Sequence, residues 1–125
     1  MSKYVDGFVL VVPADKREAY KKMAETGRDA WMKHGALQYI ESRSDDLKPQ
    51  EMGDEKTRPF GDMAGAKDGE EVWFSFIVFE SKEHRDEVNA KVMEEMAETE
   101  WPADFEMPAD MTRMACGGFA VEVEG

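Results

Sequence analysis

Four runs of the chain are apolar at too many positions to be surface strands. The most continuous is Glu71 to Phe79, Glu-Val-Trp-Phe-Ser-Phe-Ile-Val-Phe, in which almost every side chain is large and apolar. A strand of this composition is buried on both faces. Tyr4 to Val12, Ala36 to Ser44 and Thr112 to Glu124 share the pattern. Two helical stretches lie between them. In the first, Tyr20, Met23, Ala24, Gly27, Ala30, Trp31 and His34 follow the three-and-four spacing of one helix face, while most of the lysines and arginines point elsewhere. Asp15 with Glu18 reads as its start signal and Gly35 as the left-handed residue after its end. In the second, Ser81 is the expected cap and His84, Val88, Val92 and Met96 form the buried stripe. The resulting order is β-α-β-β-α-β, an α+β sandwich in one domain spanning residues 1–125.

Asp45 to Glu70 breaks this regularity. Its Asp, Gly, Pro, Lys and Met residues have no clear period, and so long a stretch reads either as a lid or as a short irregular edge element, with the second preferred. Gly117-Gly118, in the middle of the last strand, predicts a bulge or a close backbone approach.

Two helices cover only one face of a four-stranded sheet. In the first strand Val5, Gly7, Val9 and Val11 alternate with Tyr4, Asp6, Phe8, Leu10 and Val12, and neither set is polar enough to stand in water. The pattern therefore predicts a homodimer that packs sheet against sheet, with a ligand pocket between a sheet and its covering elements or at the subunit seam.

Charge narrows the partners. Sixteen basic against twenty-eight acidic residues give a net charge of -12, which repels nucleic acid and anionic membrane surfaces. Lys3 and Asp6 interrupt the first apolar run, so it does not read as a signal peptide, and no run has membrane-spanning length. With a single cysteine, Cys116, these features predict a cytoplasmic protein.

Candidate chemistry lies in polar residues on strands that otherwise demand apolar ones. Tyr39, Glu41 and Arg43 share one face of the second strand; Trp73 and Ser75 share one face of the third. Together they would offer an acid or base, a cation and an aromatic wall. Glu41, or Asp6 on the first strand, is the candidate base, and Arg43 the candidate partner for a developing oxyanion. Tyr39, Trp73, Ser75 and His34 are candidate ligand contacts. The simpler accounts are an edge or interface ion pair for Glu41 and Arg43, a backbone-satisfying role for Asp6, and a dipole-neutralising helix end for His34. Two isolated histidines lack metal-ligand spacing, so no metal site is expected. Cys116 reads as a small buried hydrophobe, and Met107, Met111 and Met114 as core filling. Gly117-Gly118 lacks the spacing of a nucleotide-binding loop, and no cofactor is expected.

Several blocks occur in a distinctive order: Tyr4-Val5-Asp6-Gly7-Phe8 with Val12-Pro13-Ala14-Asp15-Lys16; Gly35-Ala36-Leu37; Ser81-Lys82-Glu83 with Arg85-Asp86 and Asn89; and Met107-Pro108, Asp110, Arg113-Met114 and Gly117-Gly118-Phe119. In these the chain resembles the YbaA-like family of uncharacterised small bacterial proteins, a branch of the dimeric α+β barrel superfamily. The resemblance implies a ferredoxin-like subunit with an antiparallel sheet and a paired, barrel-like dimer. The chain departs from the family between Glu51 and Gly69, where it is longer or more irregular. No reaction comes with the resemblance. The wider superfamily includes cofactor-independent monooxygenases, haem-degrading enzymes, isomerases and ligand sensors, and choosing among them by fold would be analogy. Two readings therefore stand. One is a homodimer binding, and in the stronger form transforming, a small organic ligand in an apolar pocket. The other is a non-catalytic regulatory or protein-interaction module whose barrel is filled.

Overall fold

The two most apolar runs become the two central strands. The computed structural model describes residues 2–125 and is an α+β fold with a four-stranded antiparallel sheet and three helices. Strands β1 (Tyr4–Pro13) and β5 (Glu70–Phe79) pair along their whole length, from Tyr4 opposite Phe79 to Pro13 opposite Glu70. The shorter and more polar β2 (Gln38–Arg43) flanks β5, and β6 (Ala115–Ala120) flanks β1, giving the order β2-β5-β1-β6. Being central is what makes β1 and β5 apolar on both faces. Edge strands have only one neighbour and tolerate Glu, Arg and Gly.

Helices α1 (Arg17–Lys33) and α3 (Lys82–Glu98) lie on one face of the sheet. Tyr20, Ala24 and Ala30 of α1 and Val88 and Val92 of α3 pack on Leu10, Val12, Trp73, Ile77 and Phe79. Phe79, Val88 and Val92 are among the fully buried side chains, each worth roughly 1.5–3 kcal/mol of apolar burial. Ser81 caps α3 by accepting a hydrogen bond from the His84 backbone N–H at 3.1 Å. Gly35 ends α1 with φ 111°. The start of α1 differs from expectation. Residues Ala14–Lys16 form a 3₁₀ turn, and no side chain caps the helix that begins at Arg17.

Residues between β2 and β5 form neither a strand of the main sheet nor an unstructured loop. They contain a separate hairpin, β3 (Glu51–Met52) with β4 (Glu55–Lys56), and the short helix α2 (Phe60–Ala64). Ala64 and Phe60 pack on Val11 and Val72, so α2 covers one end of the second sheet face. Beyond it that face is bare: Phe74 is 46% and Phe119 62% exposed.

The last strand is shorter than predicted. Met111–Arg113 is a 3₁₀ turn, and pairing runs only from Ala115 to Ala120. Asp110 and Arg113 fix this turn. Asp110 accepts from the Thr112 N–H at 2.9 Å, and Arg113 donates to both oxygens of Glu70 at 2.7 Å and to the Gly65 carbonyl at 2.9 Å. No bulge forms at Gly117-Gly118, because the register with β1 is continuous. The close approach is present: a Cβ on Gly118 would stand 2.7 Å from Tyr4 Cε2. Cys116, expected to be buried, is exposed, since β6 is an edge strand beyond the densest helix cover.

Candidate functional site

Glu41 is a carboxylate in an apolar setting, and three hydroxyls converge on it. Its position on β2 directs it to the helix-covered face, opposite Ser75 of β5. Ser75 Oγ donates to Oε1 at 2.6 Å, Tyr20 Oη of α1 donates to the same oxygen at 2.6 Å, and Tyr39 Oη donates to Oε2 at 2.7 Å. Tyr39 reaches this point because Gly27 leaves room; a Cβ there would be 3.0 Å from its hydroxyl. Burial, and then the neighbouring Glu41, push both tyrosine hydroxyls well above their ordinary pKa of 10.0, so both keep the protons they donate. Among the described residues no cationic group forms an ion pair with Glu41 within 4.0 Å.

The carboxylate looks into a cavity of about 300 Å³ between the sheet and its helices. Phe8, Trp31, Met23 and Ile77 line its body. Trp101 and Met107, from the connector after α3, complete the wall. Toward the outside, Tyr39, Ile40, Glu41 and Ala24 separate the cavity from an open groove that also bears Lys21, Glu25, Arg28 and Trp73. A concave, half-open apolar pocket with a few convergent polar groups is the usual form of a small-molecule site. Chemically, Glu41 can accept a hydrogen bond or a proton from an occupant.

The predicted site residues do not all meet. Tyr39, Glu41 and Ser75 come together at the cavity, and Trp73 stands beside them, its ring centre 4.8 Å from that of Tyr20 at an interplanar angle of 63°. Arg43 points away from Glu41, along the sheet to Glu71 at 3.9 Å, and is 42% exposed. Glu71 also accepts from Arg17, at 2.8 Å from Nε, and this contact holds its carboxyl below the ordinary 4.5. Asp6 lies under α3, where Arg85 Nη1 donates to it at 2.7 Å and Asn89 Nδ2 at 3.2 Å. Asn89 in turn accepts from the Trp31 indole at 2.9 Å. His34 follows the end of α1, 3.3 Å from Glu95.

Sequence reasoning missed Tyr20, Trp31 and Trp101. By its spacing Tyr20 belongs to the apolar stripe of α1 and reads as a core residue. The available signal was its hydroxyl, since a buried tyrosine needs a polar partner and the facing strand offers Glu41. Trp101 and Met107 sit in an aperiodic connector, where spacing carries no information. Among the described residues no three metal-ligand side chains converge, and no helix is long and apolar enough to cross a membrane.

Comparison with known proteins gives a consistent assignment. The chain is 41% identical over 117 residues to "Uncharacterized protein YbaA" of Escherichia coli (strain K12), a match covering 94% of each chain. The YbaA proteins of Escherichia coli O157:H7 and Shigella flexneri match to the same extent. Residues 3–111 match the model of a family described as "Protein of unknown function (DUF1428)". The chain therefore belongs to the DUF1428 family.

Proposed function

We propose that this chain is one subunit of a cytoplasmic homodimer that binds a small organic molecule in the cavity at Glu41. The observation that carries the reading is a half-open apolar pocket whose polar floor is one carboxylate held by three hydroxyls. A side chain serving only to fill the core would not need that arrangement. The cavity volume lies at the lower end of the range of about 300–1,000 Å³ for ligand sites, so the occupant is small. Glu41 is its polar anchor and the group placed to take a proton if the bound molecule reacts. Tyr39 and Ser75 orient the carboxylate, and Trp73 backs it. Asp6, Arg43 and His34 lie outside the cavity, Asp6 held by Arg85 of α3 and Arg43 directed to Glu71.

The subunit is read as ferredoxin-like, with its bare sheet face as the dimer contact of an α+β barrel. The strand order β2-β5-β1-β6, two long helices on one face, and Phe74 and Phe119 exposed on the other support this. Native mass spectrometry of protein purified from its source cells tests both parts, because it reports oligomer mass and retained small molecules together. A dimer with a reproducible added mass that is lost in Glu41→Gln supports the reading. A dimer that carries nothing, and in which Glu41→Gln alters only dimer stability, supports the non-catalytic interaction role instead. A monomer at micromolar concentration defeats the dimer.

A further inference from the structure

The polar end of the cavity can accept hydrogen bonds but has almost none to give. A tyrosine or serine hydroxyl carries one proton and two lone pairs. All three protons, from Tyr20, Tyr39 and Ser75, are directed to Glu41. What remains facing an occupant is oxygen lone pairs on the hydroxyls and on Glu41, whose Oε2 takes one donor where Oε1 takes two. Trp31, in the wall, has spent its indole N–H on Asn89. Trp101, on the connector, brings the remaining side-chain N–H among the cavity-lining residues.

Charge points the same way. Three neutral hydroxyls satisfy the hydrogen bonding of a carboxylate without cancelling its charge. Lys21 and Arg28 of α1 line the outer groove that Glu41 and Tyr39 also border, not the cavity itself, and Arg28 is paired with Asp29 at 3.0 Å. The aromatic walls Phe8, Trp31 and Trp101 present ring faces or edges to the interior, and ring faces attract cations.

Resting on the cavity reading above, we infer that the ligand is a small organic cation, a protonated amine or amidine on an apolar body, with its N–H groups on Glu41 and its body against Trp31 and Phe8. A carboxylate-bearing ligand would meet an unneutralised negative charge and, at the Glu41 end, no free donor. A neutral alcohol would gain the hydrogen bond without the ion pair.

Three probes of similar shape separate these cases: phenethylamine, phenethyl alcohol and hydrocinnamate, titrated at neutral pH against wild type and Glu41→Gln. Binding is read from tryptophan emission, which reports on Trp31 and Trp101, and confirmed by calorimetry. In wild type the amine should bind at least about tenfold tighter than the alcohol, with the carboxylate weakest. Glu41→Gln should erase the amine preference by weakening the amine far more than the alcohol. Equal or tighter binding of the alcohol or carboxylate in wild type overturns the inference, as does an amine preference that survives Glu41→Gln. In either case the cavity reading stands. Failure of all three probes to give saturable binding defeats the cavity reading, and this inference with it. The wild-type series decides the charge preference even where the Gln variant does not fold.

Discussion

Removing the Asp6 carboxylate should destabilise the fold by about 3 kcal/mol while leaving the cavity chemistry intact. The number follows from its partners. Asp6 accepts one charge-assisted bond from Arg85 at 2.7 Å, worth roughly 1.5–3 kcal/mol, and one from the Asn89 amide at 3.2 Å, worth about 1 kcal/mol. Arg85 is not stranded by the change, because Asp86 still accepts from its Nε at 2.7 Å and its guanidinium still lies 4.8 Å from the centre of the Tyr4 ring. This places the loss at the low end of the roughly 3–5 kcal/mol typical of a fully orphaned buried charge. The Asp6 and Arg85 side chains are 9% and 20% exposed, so solvent screening removes only part of the interaction. The assay is a double-mutant cycle of Asp6→Ala and Arg85→Ala by urea unfolding at one fixed protein concentration, since association would otherwise enter the stability. A coupling energy of about 1–2 kcal/mol is expected. A coupling under about 0.5 kcal/mol would refute the argument that this pair fastens β1 to α3. A loss of cavity binding in Asp6→Ala without loss of stability would refute it differently, by returning Asp6 to the role of base.

Three other perturbations probe separate parts of the fold. Gly118→Ala should cost about 1–3 kcal/mol by driving a methyl into the Tyr4 ring, and the double variant with Tyr4→Ala should be no less stable than Tyr4→Ala alone in the same unfolding assay. Phe119→Glu, on the bare face, should yield monomers by sedimentation at concentrations where wild type is dimeric; an unchanged dimer would place the contact elsewhere. The Arg113 contacts hold the Glu70 carboxyl at about 2 against an ordinary 4.5, and the Thr112 and Arg113 contacts hold Asp110 at about 2 against 3.8. Because the folded values are depressed, this stabilisation is present above the ordinary values and lost as pH falls through the folded ones. Arg113→Gln should therefore flatten the acid limb of a stability-versus-pH curve between about pH 4.5 and 2 while shifting it little in shape near neutrality.

The fold was legible where burial enforced a pattern. β1 and β5 are the central strands, packed under α1 and α3 on one face and under α2 at one end of the other, so their apolar continuity followed from position, and the stripes of α1 and α3 followed from packing on one side. Legibility failed where contacts are tertiary. Thr112 and Arg113 read as the start of the last strand, but Asp110 and Arg113 close Met111–Arg113 into a turn through Glu70 and Gly65, which no local spacing reveals. Cys116 looked buried because its neighbours in sequence are apolar, whereas its strand is at the sheet edge. At the site, period two correctly grouped Tyr39, Glu41 and Arg43 on one face. It could not show that Arg43 would turn to Glu71, or that Tyr20 from α1 would supply the third hydroxyl.

The hydroxyls around Glu41 also have a consequence for strand alignment. β2 is joined to the sheet through β5 alone, and a slip of one residue would exchange its two faces. Ile40 and Ser42 could substitute sterically on either side, so the apolar pattern of this short strand holds its register weakly. Glu41 holds it strongly. Its donors come from α1, β2 and β5, so only one alignment lets Tyr20, Tyr39 and Ser75 reach it together. A charge turned inward from a border strand also discourages a foreign strand from adding there, since pairing that displaced β2 would strand a carboxylate in an apolar interior. The same side chain that gives the cavity its polarity thus acts as a ratchet on the sheet's margin, tying correct alignment of the edge strand β2 to completion of the site.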